Sequence, residues 1–166
     1  MHRLARLSLA AALVLAIGAA PVAARSPGAT IVDTAIAVNA AGGEFDHLIA
    51  AVVRADLAAR LDGNRKFTLF APTDAAFEAL FDTLGVDGVA DIPVATLRAV
   101  LLYHVAPGER SSGDVLSASR IRTVSQGFLR PSIVNGVPFV NDARIVLPDV
   151  DASNGVIHII DTVLLP

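Results

Sequence analysis

SNGVIHIIDTVLLP, residues 153–166, decides how the rest of the chain is read. Asn154-Gly155 stands between apolar runs, and an Asn-Gly pair in that setting is the strongest short signal for a type I′ hairpin turn. Residues 156–161 therefore read as the second strand of a hairpin, an apolar run interrupted by His158 and closed by Asp161. Two further stretches carry comparable information: FTLFAPTDAAFEAL at 67–80 and LLYHVAPGE at 101–109.

The first of these opens as a buried strand over 67–71, alternating and rich in strand formers. Pro72-Thr73-Asp74 ends it and starts a helix. Thr73 is the expected N-cap, accepting from the amide of Ala76, and Asp74 in the first turn suits the positive end of the helix dipole, which accounts for that carboxylate without chemistry. Phe77, Leu80, Phe81 and Leu84 form the expected inward face, and Gly85 the stop. Upstream, Ile31, Ala35 and Val38 have helical spacing ahead of the Gly42-Gly43 break. From Phe45 onward, Leu48, Ile49, Val52, Val53, Leu57 and Leu61 make the apolar stripe of a core helix or helix pair, stopped by Asp62-Gly63. Pro93 fits the first position of another helix that turns Leu97, Val100 and Leu101 inward and is halted by Pro107-Gly108.

Beyond that point the apolar period changes from 3.6 to 2. Residues 107–119 read as a polar surface loop, and 128–134, 137–140, 144–147 and 156–161 read as strands, with a second Asn-Gly turn at Asn135-Gly136. Pro138 is expected at an edge or bulge because it cannot donate to a ladder. Helices first and hairpins afterwards predict an α+β fold rather than a doubly wound parallel sheet.

The chain begins with basic residues up to Arg6, continues in an uncharged apolar run over 7–24, and reaches Val22-Ala23-Ala24 ahead of Arg25. That pattern is a secretory signal peptide, with cleavage expected after Ala24, leaving a single domain over 25–166 in the periplasm or outside the cell. The competing reading, an uncleaved anchor, is disfavoured by the alanine content of the run and by Pro21. There is no cysteine, which excludes disulfides and lipid attachment through a lipobox cysteine. The core alone must hold the fold, and a chain of this size buries enough surface to do so. A formal net charge of −3, with arginines scattered along the sequence, argues against a nucleic-acid partner. No membrane partner is expected once the signal is removed, and a monomer is expected.

Chemistry finds little foothold. His47 falls off the apolar stripe beside Asp46 and is expected in solvent. His104 and His158 are flanked by apolar residues, without the paired spacing or third ligand that a metal site needs. Pairing either with Asp74 or Asp161 would require an activated serine, and no Gly-x-Ser-x-Gly elbow, phosphate-binding glycine loop or dinucleotide fingerprint is present. Their expected role is to satisfy buried backbone or carboxylate groups. No catalytic residue, metal ligand or cofactor is assigned.

The order and spacing of the three stretches resemble the fasciclin-like (FAS1, beta-Ig-H3) domain family over residues 31–166, in its single-domain secreted bacterial form. The resemblance rests on the 67–77 region, the Tyr103-His104 pair, and Asn154-Gly155 through Asp161 with the closing Val-Leu-Leu-Pro. It implies a wedge-like β-sandwich of about seven strands with the helices of the N-terminal half packed against it, and Thr73, Asp74, Asn154, Gly155, His158 and Asp161 as structural motif residues. It further implies a role in cell adhesion or matrix contact, with a protein or polysaccharide at a cell surface as partner. Tyr103 and His104 match a region that animal relatives link to integrin contact, and Asp149-Val150 stands where those relatives carry Asp-Ile, so these four are the interaction candidates. Asp56 stands where relatives often have glycine between two short helices. The alternative reading, from another class, is a periplasmic carrier whose cleft near His104 or His158 holds a small apolar or metal-containing ligand.

Overall fold

The computed structural model describes residues 28–166; the signal segment and the expected cut after Ala24 lie outside the described residues. Helices come first. Helix α1 (Ile31–Gly42) starts at Thr30, whose hydroxyl and the Asp33 carboxylate form a reciprocal capping box, and stops at Gly43 in the left-handed conformation. The stripe from Phe45 to Leu61 is carried by two helices, α2 (Asp46–Arg54) and α3 (Ala58–Leu61). Asp56, at φ 54, makes the turn between them, so the position where glycine would be at ease is a break even with a carboxylate in it. Leu48, Val52, Leu57 and Leu61 are buried, while Val53, expected inside, is 66% exposed.

Strand β1 (Phe67–Pro72) leads into α4 (Asp74–Leu84) through Thr73, which accepts from the Ala76 amide as expected, and Gly85 ends the helix at φ 66. Leu84, the last residue of α4, is half exposed rather than inward. A 3₁₀ turn at Val89–Asp91 precedes α5 (Val94–Tyr103), for which Pro93 is the N-cap rather than the first helical residue. The expected loop over 107–119 contains a helix, α6 (Ser112–Ser117), started by a capping box between Ser111 and Asp114.

Among the described residues β1 is followed by seven more strands: β2 (Val105–Pro107), β3 (Ile121–Arg122), β4 (Phe128–Leu129), β5 (Pro131–Val134), β6 (Val137–Val140), β7 (Ala143–Ala152) and β8 (Gly155–Ile160). Six form one sheet in the order β2-β1-β8-β7-β6-β5, and β3 and β4 form a separate antiparallel ribbon. The β1–β8 pair is parallel, with Leu69 beside Ile157 and Phe70 beside His158. All other pairs are antiparallel. Pro138 lies on the stretch of β6 not yet paired to β7, as its missing N–H requires.

The two Asn-Gly pairs differ. Asn135 (φ 52) and Gly136 (φ 79) make the expected left-handed hairpin turn between β5 and β6. Asn154-Gly155 does not: Ala152 pairs with Gly155, so the turn is Ser153-Asn154, and Gly155 at φ 154 begins β8. A Cβ on Gly155 would stand 1.8 Å from the Phe67 carbonyl oxygen, so the glycine is there for the close approach of β1.

Both β1 and β8 are buried throughout and separate two cores. Leu69, Ile157 and Ile159 face Phe45, Leu48, Phe77, Leu97 and their helical neighbours on one side. Phe70 and Ile160 face Tyr103, Val115, Ile121, Leu129 and Ile145 on the other. The result is the expected α+β arrangement, with helices against one side and curled strands closing the other.

Candidate functional site

The C-terminal end of α5 carries Tyr103 and His104, and both point inward. The Tyr103 hydroxyl donates to the Phe128 carbonyl (2.9 Å) and accepts from the Asn141 amide (3.2 Å). Its ring lies over Gly127, where a Cβ would come within 2.5 Å of a ring carbon. His104 is 1% exposed. The Leu164 N–H donates to its Nε2 (2.9 Å), so the proton sits on Nδ1, which donates to the Val100 carbonyl (2.8 Å). Burial pushes its pKa down to about 4, against the opposing pull of the Val100 carbonyl. The ring is a neutral staple joining the end of α5 to the chain terminus.

His158, in the middle of β8, is fully buried against Phe70, with ring centroids 5.5 Å apart. Its Nδ1 accepts from the Asp149 N–H (3.2 Å), and its Nε2 donates to the Arg110 carbonyl (3.0 Å). Burial lowers its pKa, outweighing the Arg110 carbonyl and the Asp149 carboxylate, which act the other way. Asp149 sits at φ 59 where β7 bulges between Leu147 and Val150. Its carboxylate accepts from the N–H of Ser112 (2.7 Å) and from the Ser112 hydroxyl. Thr68 donates to the Gly108 carbonyl and accepts from the Arg110 N–H, completing the clip that holds residues 108–112 and the start of α6 to the sheet. Asp149 is exposed yet engaged, and Val150, expected as a contact residue, is half-buried against the core that contains Phe45 and Ile159.

The remaining motif residues are fastenings too. Asn154 accepts from the Ile31 N–H (2.7 Å) and donates to the carbonyls of Leu61 (2.7 Å) and Gly63 (3.0 Å), tying α1, α3 and the β7–β8 turn together. Asp161 accepts from the Arg144 N–H (2.9 Å) and the Thr162 hydroxyl (3.0 Å). Asp74 accepts from the N–H groups of Asp46 (3.1 Å) and His47 (2.8 Å), and His47 lies edge-on to Phe81 at 5.1 Å instead of in open solvent.

The fold therefore brings Asp149 and His158 together, with backbone groups of Arg110 and Ser112, and leaves Asp74 and Asp161 apart from either histidine. Among the described residues no group of three or more His, Asp or Glu is placed to hold a metal ion, and no helix is long and apolar enough to cross a membrane. At His104 and His158, where a cleft was expected, both rings are buried with each ring nitrogen bonded to a backbone group. A shallow apolar groove of about 50 Å³ lies elsewhere, between α1, α2 and α3, lined by residues including Ile36, Ile49, Val53 and Leu61. Sequence reading also missed the placement of the exposed arginines along 120–144: register sets Arg122 beside Phe128 in the β3–β4 ribbon and Arg144 beside Phe139 in the β6–β7 pair.

Residues 43–166 match the family described as the Fasciclin domain. Protein sll1483 of Synechocystis sp. is 38% identical over 145 residues, spanning 80% of this chain and 73% of that protein. Transforming growth factor-beta-induced protein ig-h3 of Sus scrofa is 34% identical over 122 residues, 74% of this chain and 18% of the longer protein. The solved FAS1 domain pair from the insect cell adhesion molecule Fasciclin I superimposes with a TM-score of 0.68 at 18% identity, over 83% of this chain and 51% of that one. That likeness shows the fold, and matches the wedge-like sandwich expected from the sequence.

Proposed function

The chain belongs to the fasciclin domain family, and from that membership we propose that it is an exported contact module that works by adhesion rather than catalysis. One observation supports the reading above others. The histidines and carboxylates that a catalytic account would recruit, His104, His158, Asp74, Asp149 and Asp161, are each bonded to a backbone group of the domain itself. Groups so engaged stiffen the scaffold and leave recognition to the exterior. The name of the insect relative, a cell adhesion molecule, points the same way. The domain then acts after signal removal, in the periplasm or outside the cell, as a monomer whose partner is a protein or polysaccharide of the envelope or matrix. Pull-down of the purified mature domain with envelope and cell-surface fractions tests this. Saturable binding above that of an unrelated domain of similar charge is expected, and binding no better than the control removes the reading.

A second reading, carriage of a small apolar ligand, rests on the apolar groove between α1, α2 and α3, which at about 50 Å³ would have to widen to admit one. Native mass spectrometry of the freshly purified protein separates the two, since a co-purifying apolar ligand is expected only of a carrier.

A further inference from the structure

We propose that the outer face of the β3–β7 strands is a docking surface for an anionic lipid layer, in which the β5–β6 hairpin dips its tip among the acyl chains while a set of arginines holds the phosphates. It rests on reading the domain as a contact module and names the surface and the partner. It also departs from the expectation of a membrane-free product, because surface docking needs no spanning segment.

Register assembles the charged part. In the β3–β4 ribbon Arg122 stands opposite Phe128, so both occupy one face. The Arg120 guanidinium lies 4.6 Å from the centre of the Phe128 ring, on that same face. Leu129 is buried and its neighbours Phe128 and Arg130 are exposed, so Arg130 continues the face as the chain passes into β5. Ser132 pairs with Phe139 and Phe139 with Arg144, which carries the face across β6 to β7. Arg120, Arg122, Arg130 and Arg144 are all exposed, and none forms an ion pair among the described residues. Acidic neighbours are few: Asp142 in the β6–β7 turn, and Asp161, whose carboxylate bonds to the Arg144 N–H. In a chain of net charge −3, this face is locally cationic.

The apolar part settles what kind of anion it meets. Val134 is 52% exposed on the arginine side of the hairpin, and Ile133 is 60% exposed on the other. Val146 on β7 and Phe128 on β4 are 54% and 44% exposed. A flat hydrophilic partner covers one side of such a finger at most, and aliphatic side chains offer sugar hydroxyls or nucleobases no hydrogen bond. Insertion into an acyl layer covers both sides at once. Strand rise places Val134 about 13 Å ahead of Arg130 along β5, a separation that lets the tip enter the acyl boundary while the guanidiniums stay with the headgroups. Arginine binds phosphate oxygens bidentately, which suits that position.

The test is co-sedimentation of the mature domain with vesicles of phosphatidylglycerol in phosphatidylcholine, against vesicles of phosphatidylcholine alone. Binding is expected only with the anionic lipid and is expected to weaken as salt is raised. The double variant Arg122→Gln/Arg130→Gln should lower partitioning about thirtyfold, the factor that about 1 kcal/mol of surface attraction per arginine gives for two charges. Ile133→Ser/Val134→Ser should lower it with the salt dependence retained. Both variants alter exposed positions, and unchanged thermal unfolding checks that each is folded. Equal binding to neutral vesicles, or anionic binding unaffected by either variant, overturns the proposal. So does binding to an acidic polysaccharide such as alginate without binding to vesicles, which gives the arginines to a different polymer. Envelope-fraction binding that persists without vesicle binding overturns the lipid partner and leaves the contact module standing, whereas loss of both removes both.

Discussion

The carboxylate of Asp74 caps a helix to which it does not belong: its Oδ1 accepts from the His47 N–H at 2.8 Å, at the start of α2, while Asp74 itself lies in the first turn of α4. Phe45, the N-cap of α2, has no side chain able to do this, so the cap comes from 27 residues away. Thr73 caps α4 beside it, and two helix starts are joined through one pair of neighbouring residues.

Asp74→Ala is expected to destabilise the domain by about 1–2 kcal/mol, because two orphan N–H groups lose their acceptor. Asp74→Asn keeps one acceptor oxygen and should cost less. Urea unfolding measures both, and a loss no greater than that of an exposed control such as Asp87→Ala would show the cap to be redundant.

Stability should fall with acid because of the two buried histidines. His104 has a folded pKa of about 4, below its unfolded value, so between those two values the unfolded chain binds a proton that the folded one refuses. Its contribution is intact above pH 6.5, drains away as pH falls toward 4, and amounts to about 3 kcal/mol over that window. His158 is lowered as well and adds in the same direction. Urea midpoints from pH 7.5 down to 4 check the slope, and His104→Gln should flatten it. An unfolding midpoint independent of pH across this range would contradict the neutral-staple account.

Gly155→Ala should prevent a stable fold, since the added Cβ would lie inside the Phe67 carbonyl oxygen and push β1 off β8. Asn154→Ala, which leaves the Ile31 N–H and the Leu61 carbonyl without partners, should cost about 2–4 kcal/mol yet still fold. Circular dichroism and thermal melting distinguish the two; a native-like melt for Gly155→Ala would be incompatible with the parallel β1–β8 register.

Asp56→Gly should stabilise the domain by about 0.5–1 kcal/mol, because a left-handed φ strains any residue with a Cβ and a glycine is free of that strain. Differential scanning calorimetry reads the gain as a higher melting temperature. A lower one would place the value of Asp56 in its side chain rather than its backbone.

Much of this architecture was legible. The Thr73 cap, the Gly85 stop, the β6 span and the Asn135-Gly136 turn depend on neighbours in sequence, and local rules reached them. The α6 helix was also locally encoded, by Ser111 and Asp114, but its polar composition masked it as loop. Asn154-Gly155 misled for the opposite reason: the dipeptide has turn chemistry, yet a buried helix start and a neighbouring strand claim its two residues for other tasks. Of the interaction candidates, Tyr103 and His104 look available in sequence and are packed inside, and Val150 is half-buried, because their partners come from distant segments.

Residue pattern alone was sufficient for the class of fold, the order of helices and hairpins, and the absence of disulfides, since each follows from contacts a few residues long or from composition. The parallel pairing of β1 with β8, the clip that Asp149 and His158 make with 108–112, and the gathering of four arginines on one face depended on the folded arrangement. Those features join positions tens of residues apart, and no local preference encodes which of many apolar strands will lie beside which; that is settled by how two cores can be filled at once on either side of a single buried strand pair.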